Sequence, residues 1–208
     1  MTQTRKPSKS KKRSETPKLN RDDWLDAAFN AVAEGGFDNV RVLVIADSLG
    51  VTRGSFYWHF TDHPALIAAL LARWRERELA LNLRLQSGSS GDPKADLEQL
   101  LEAALTKADA DLRDIRFELA LRGLGRRDPA LARMLVEVDQ GRMELFEQRF
   151  LLLTGDAQKA KELAALFYLA IVGSLQALGR PLNSPQLRDH LVGIITHYLV
   201  HQQTPAAS

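Results

Sequence analysis

Residues 40 to 71 read VRVLVIADSLGVTRGSFYWHFTDHPALIAALL, and the middle of this stretch most narrows what the chain can fold into. One short helical pattern stops at Leu49-Gly50-Val51, and a second restarts at Thr52. Two helices joined by a tight turn containing glycine, the second armed with hydrogen-bonding side chains, describe a helix-turn-helix able to enter a DNA groove. On the second helix Phe56 and Phe60 lie one turn apart and share a face with Leu49 and Val51, so they are expected to anchor it. Arg53 and Tyr57 share a different face, flanked by Thr52 and Trp58. The run Phe56-Tyr57-Trp58-His59-Phe60 cannot turn wholly inward from one short helix, and clustered aromatics left outside usually form a binding surface.

Each outward residue has a chemical use on DNA. Thr52 is placed to cap the second helix, whose first-turn N–H groups suit a phosphate. Gly54 lets backbone approach a groove wall. Arg53 suits the O6/N7 edge of guanine, and Thr52 or Ser55 a base edge or phosphate. Tyr57, Trp58 and His59 offer polar groups on rigid rings for phosphate and thymine-methyl contact.

The rest of the chain reads as helix throughout, with no strand-period segment of useful length. Helices are expected at about 20–34, 42–49, 52–60, 62–85, 93–111, 114–122, 129–153, 157–178 and 185–200. Asn20, Asp62, Asp92-Pro93, Asp128-Pro129 and Ser184-Pro185 supply their starts. The expected organisation is all-α: a helix-turn-helix unit at 19–62 and a helical bundle at 63–203, between tails at 1–18 and 204–208. With 45% apolar residues in 208, the chain can bury a real core, and its lack of cysteine excludes disulfides and thiolate metal sites. That fits a reducing cytosol. The N-terminus lacks the apolar run of a signal peptide, and the apolar run 163–178 falls short of the ~20 residues a membrane helix needs, so a soluble cytoplasmic protein is expected.

Charge is unevenly placed. Residues 1–18 hold seven Lys/Arg against Glu15 alone. Of the chain's 28 basic and 26 acidic residues, 21 and 25 remain for 19–208. A Ser/Pro/Lys tail of this kind buries no apolar surface and is expected to be a disordered arm that follows phosphates.

The segment Leu49-Gly50-Val51-Thr52-Arg53-Gly54-Ser55-Phe56-Tyr57-Trp58-His59-Phe60 resembles the helix-turn-helix of the TetR family of bacterial transcription regulators. The resemblance covers residues 20–71 directly and the remaining helices in number and order only. It implies that Tyr57 and His59 contact phosphate, while Thr52, Arg53, Ser55 and Trp58 face the groove. Two positions depart from the family pattern. His63 stands where a lysine is usual at the start of the fourth helix, and its charge varies with pH. Arg41 and Leu43 replace the usual hydroxyl and polar residues of the second helix; Arg41 still reaches a phosphate, whereas Leu43 removes a contact.

Behind the head, the stretch LAALFYLAIVGSLQAL at 163–178 is apolar on nearly every side, as a helix buried on every side should be. Leu166, Ala170, Gly173 and Ala177 form a smooth stripe on it, and Leu187, Leu191, Ile195 and Tyr198 one on the last helix. Doubled about a two-fold axis, these make a four-helix homodimer interface, which the resemblance also implies. His190, His197 and His201 share a helix face but have no accompanying carboxylate spacing, so no metal is expected. A small-molecule pocket is expected between the fourth and eighth helices, with Trp74, Phe117, Leu121, Met134, Val138, Met143 and Phe167 as candidate walls. Arg116, Glu118 and Arg142 are its polar candidates.

These readings converge on a ligand-responsive repressor that binds a pseudo-palindromic operator in double-stranded DNA as a homodimer. The alternative is a dimeric DNA-binding protein without inducer, controlled by a protein partner or acting architecturally. No cysteine nucleophile, Gly-rich phosphate loop or Ser-His-Asp constellation supports an enzyme, and no cofactor is implied.

Overall fold

A computed structural model describes residues 19–110, 112–178 and 185–203, the side chains of 106–110 and 185 excepted. The basic segment 1–18 and the tail 204–208 lie outside the described residues. The fold begins with α1, Arg21–Gly35. Asn20 accepts from the Asp22 and Asp23 amides at 2.7 and 3.1 Å, and the Asp23 carboxylate accepts from the Asn20 amide at 2.7 Å. This reciprocal cap satisfies donors that a helix start otherwise orphans. Gly36 ends the helix at φ 80°, a conformation costly for residues with a Cβ.

After a 3₁₀ turn at Phe37–Asn39 come α2, Val42–Ser48, and α3, Arg53–Phe56. Gly50 turns the chain between them at φ 68°, and the Val51 amide reaches back to the Ala46 carbonyl at 3.0 Å. The second helix of the pair is shorter than the expected 52–60. Beyond Phe56 the amides of Tyr57, Trp58 and His59 bond three residues back, so the chain continues as tight turns rather than as α-helix.

Helix α4, His63–Ser87, starts on the Asp62 cap with Pro64 in its first turn. It leads into α5, Pro93–Ala110, and α6, Leu112–Gly125. Helix α7, Pro129–Thr154, is capped by Asp128 and stopped by left-handed Gly155. Helix α8, Ala157–Leu178, precedes α9, Pro185–Ile195, which winds into a π-helical turn at Thr196–His201. Among the described residues there is no strand.

Helix α8 is long and apolar enough to cross a membrane, contrary to the reading of its apolar run as too short. It lies along α7 with one face buried, carrying Leu163, Ala164, Phe167, Tyr168 and Ile171, and its other face exposed.

Packing does not divide where the helix-turn-helix ends. Trp24, Leu25, Ile45, Phe56, Phe60 and Leu66 form the head's core, and the same apolar cluster runs on through Trp74 to Phe117, Leu121, Leu135 and Val138 of α6 and α7. Phe29 of α1 stacks on Phe117 with ring centroids 4.6 Å apart. A second cluster, built on Leu97, Leu101, Leu145, Phe146, Phe150 and Phe167, fills the far end of the bundle. Burying this surface is the main force holding each end together.

Candidate functional site

The helix-turn-helix turns its polar and aromatic groups outward because its apolar ones are already spent. Phe56 is fully buried and Phe60 nearly so, with Trp24 edge-on to Phe56 at 5.4 Å. That anchor leaves Thr52, Arg53, Tyr57 and Trp58 exposed, Trp58 at 87%. Arg53 Nη2 donates to the Tyr57 hydroxyl at 3.3 Å, so the two move as a pair on one turn of chain. Ser55 is half-buried. Gly54 is exposed, and an added Cβ would meet only Thr52 Oγ1 at 3.7 Å. Among the described residues nothing there requires a glycine.

Several expectations at this face are corrected. Thr52 occupies the cap position of α3 without a side-chain cap bond. A helix of four residues also carries little dipole, so its N-terminus offers little to a phosphate. His59 is half-buried, its ring 6.4 Å from Trp24, so it packs as well as projects. His63 Nε2 lies 2.6 Å from the Val40 carbonyl oxygen. A ring nitrogen at that distance from a carbonyl must carry the proton and donate it. His63 thus ties the start of α4 to the loop before α2, and does not stand in freely for a phosphate-clamping lysine. Arg41 is exposed with Nε donating to the Asp38 carbonyl at 3.2 Å, while Leu43 and Val44 lie more than half exposed beside it on α2.

Behind the head, α4, α5, α6, α7 and α8 enclose a cavity of about 220 Å³. Of the residues expected on its wall, Trp74 and Arg142 line it, as does Glu118. Phe117, Leu121, Met134, Val138, Met143 and Phe167 do not. Phe117 and Leu121 occupy the face of α6 turned to the head, while Glu118 and Arg122 occupy the face turned to the cavity. Met134 and Val138 join the same head cluster from α7. Met143 packs half-buried in the distal core, and Phe167 packs edge-on to Phe146 and Phe150. Arg116, a polar candidate, is off the wall as well.

Sequence reasoning named Glu118 and Arg142 for the polar end of this cavity but missed Glu78, Arg122, Asp139 and Tyr168 beside them. Glu118 accepts from Arg122 Nε and Nη2 at 3.0 and 2.7 Å, and from Arg142 Nη1 and Nη2 at 2.8 and 3.0 Å. Arg122 also donates to both oxygens of Asp139 and to the Tyr168 hydroxyl, and Arg142 to Glu78 Oε2 at 2.8 Å. Burial by itself would raise the Glu118 carboxyl, but bonds and charge from Arg142, then Arg122, outweigh it and hold it at about 2. Burial works against both guanidiniums too, and their carboxylate partners still keep them above the usual arginine range. Burial and the bond to Asp139 push the Tyr168 phenol up to about 12. Glu118, Arg122 and Arg142 are therefore charged at neutral pH. Only the i, i+4 pair Glu118/Arg122 and the i, i+3 pair Asp139/Arg142 lie within one helix each; the contacts that join them run between α4, α6, α7 and α8.

At the far side of the bundle, Leu166, Leu169 and Tyr198 are more than half exposed, with Gly173 and Ile194 also at the surface of α8 and α9. Other expected interface residues face inward. Ile195 is buried at 5% exposure, and Ala170, Leu187 and Leu191 pack half-buried on the distal core. Ala177 is half-buried. Among the described residues no group of histidines and carboxylates could hold a metal ion.

Residues 25–70 match the family pattern of bacterial regulatory proteins, tetR family. Its N-terminal residues carry the helix-turn-helix pattern of the TetR family. Over 92 residues it is 29% identical to the HTH-type transcriptional regulator AcrR of Shigella flexneri, covering 44% of this chain and 43% of that protein. Over the same length it is 32% identical to TtgR of Pseudomonas putida, covering 44% of each. The match thus spans less than half the length of these curated relatives. The fold extends further than the sequence likeness. A transcriptional regulator from Rhodococcus sp. superposes with a TM-score of 0.72 at 21% identity, over 91% of this chain and all of that one. FadR of Bacillus subtilis, solved in complex with stearoyl-CoA, superposes with a TM-score of 0.66 at 18% identity, over 88% of this chain and 98% of that one. The fold of a helix-turn-helix head on an all-helical body is thus shared with these structures over about nine-tenths of the chain.

Proposed function

We propose that this protein is a cytoplasmic transcriptional regulator that binds an operator as a homodimer and is released from it by a small molecule. The carrying observation is the face of Thr52, Arg53, Tyr57 and Trp58, exposed above Phe56 and Phe60, with the Arg53–Tyr57 bond and the edge-on packing of Tyr57 on Phe56 holding it from within. Exposed rings beside a guanidinium suit a nucleotide surface. The exposed Leu166, Leu169, Gly173, Ile194 and Tyr198 support pairing of α8 and α9 with a second copy, which would set two heads one helical turn of DNA apart. Repression is favoured over activation because release by a ligand requires only that the bound spacing be disfavoured.

The cavity supports the ligand response. Helix α6 carries Phe117 onto Phe29 of the head and the adjacent Glu118 into the cavity's ionic end. A ligand that shifts α6 therefore acts on the head without touching DNA. Selection of bound fragments from a random DNA library by purified protein tests the reading. A two-fold-symmetric consensus with half-sites one helical turn apart is expected, and an absence of any enriched sequence sinks it.

A further inference from the structure

The charge of the cavity's polar end specifies a ligand class. Glu78, Glu118 and Asp139 meet Arg122 and Arg142 there, one carboxylate in excess. The excess is not spread evenly. Glu118 and Asp139 each receive guanidinium donors on both oxygens. Glu78 receives Arg142 on Oε2 at 2.8 Å, but among the described residues its Oε1 meets only Arg77 at 3.5 Å, and Arg77 itself holds Asp114 more closely at 2.8 Å. One turn further along α4, Asn82 is 7% exposed, lines the same cavity, and its Nδ2 has no hydrogen-bond partner. That Nδ2 faces Gly141 of α7, where an added Cβ would lie 3.0 Å from it, so the amide group turned away from α7 is the acceptor oxygen. Trp74, one turn before Glu78, adds a ring to this wall, and most of the remainder is apolar, including Leu81, Leu119, Phe146 and Ile171.

We propose that the cavity binds an apolar compound ending in a protonated amine, which donates to Glu78 Oε1 and to Asn82 while its hydrocarbon fills the apolar wall. This rests on the reading of the cavity as the effector site. An anionic compound is disfavoured because the guanidiniums of Arg77, Arg122 and Arg142 are already bonded to carboxylates, and the least-used acceptor carries negative charge. The amine supplies the missing positive charge and N–H donors together.

The test uses four probes on the full chain at neutral pH: decylamine, decanol, decanoate and decyltrimethylammonium, each below its micelle concentration. Binding is followed by calorimetry and by release of a library-selected DNA fragment. Decylamine should bind about tenfold tighter than decanol, as one partly buried charge pair requires, with decanoate weakest. The quaternary ion, lacking N–H donors, should fall between the amine and the alcohol. Glu78→Gln should bring the amine to within about threefold of the alcohol, and Asn82→Leu should move it the same way. Should Glu78→Gln fail to fold, the wild-type order of the four probes decides. Decanoate binding as tightly as decylamine, no probe binding, or a folded Glu78→Gln with unchanged preference overturns the proposal. Any of these with DNA binding intact leaves the regulator reading standing. Loss of sequence-selective DNA binding would fall on that reading instead.

Discussion

The two ends of this molecule handle polar side chains in opposite ways. In the head, Arg53, Tyr57 and Trp58 face water above a sealed floor of Phe56 and Phe60, and the chain gives them little internal work. In the body, Glu118, Arg122 and Arg142 are turned inward beside an apolar cavity and bonded almost to saturation. The first arrangement costs little stability and presents chemistry to a large partner. The second must satisfy every charge, because a buried ion without its partner is severely penalised. Substitutions should therefore separate stability from binding in the head and couple them in the body.

Phe56→Ala should have the largest effect, removing about 3–5 kcal/mol of the head's packing, measured by urea unfolding, and abolishing DNA binding with it. Retained DNA affinity would mean that Phe56 does not anchor the binding face. Next comes the body. Glu118 titrates at about 2 against an ordinary 4.5, a difference worth about 3 kcal/mol to the folded state. Its folded value is depressed, so this stabilisation is complete above pH 4.5 and disappears as the pH falls towards 2. Glu118→Gln should remove it, so wild type and variant should converge in unfolding free energy over that acid window and differ by a constant amount above it. Parallel curves throughout would deny the carboxylate its role.

Smaller effects sharpen the head's side of the contrast. Arg53→Ala should cost about 1–3 kcal/mol in binding at one base position, read as relaxed preference there in a selected library. Uniform weakening of all sequences would instead make Arg53 a phosphate contact. Trp58→Ala should be the mildest for folding, within about 0.5 kcal/mol by urea unfolding, because the ring is 87% exposed. DNA affinity measured by fluorescence anisotropy should still fall. Equal affinity would remove Trp58 from the interface.

Legibility followed the range of the interactions. The Asn20, Asp62 and Asp128 caps, the Gly50 turn and the Phe56/Phe60 anchor all depend on neighbours within about one helical turn, and each could be read along the chain. The cavity could not be read this way. Glu78 and Arg142 meet across 64 residues and Arg122 and Tyr168 across 46, so no local spacing announces them. Bulk proved a poor guide as well. Phe117, Leu121 and Phe167 are large and apolar, but their helices turn them into the two cores, while Trp74 and Phe146 of similar bulk line the space. His63 fell between these cases, since its position at the start of α4 was plain but the Val40 carbonyl that holds it lies 23 residues away.

Local chemistry alone determined that this chain is helical, where most of its helices start, and which side chains after Val51 have no place in a core. Backbone sterics, capping and the 3.6-residue repeat act within a few residues, so they are written in order along the polymer. Tertiary packing decided which face of α6 looks at the head and which at the cavity, and it gathered carboxylates and guanidiniums from α4, α6 and α7, with the Tyr168 phenol of α8, into one network. Those outcomes depend on how helices far apart in the chain rotate against one another to bury apolar surface and leave no charge unpaired.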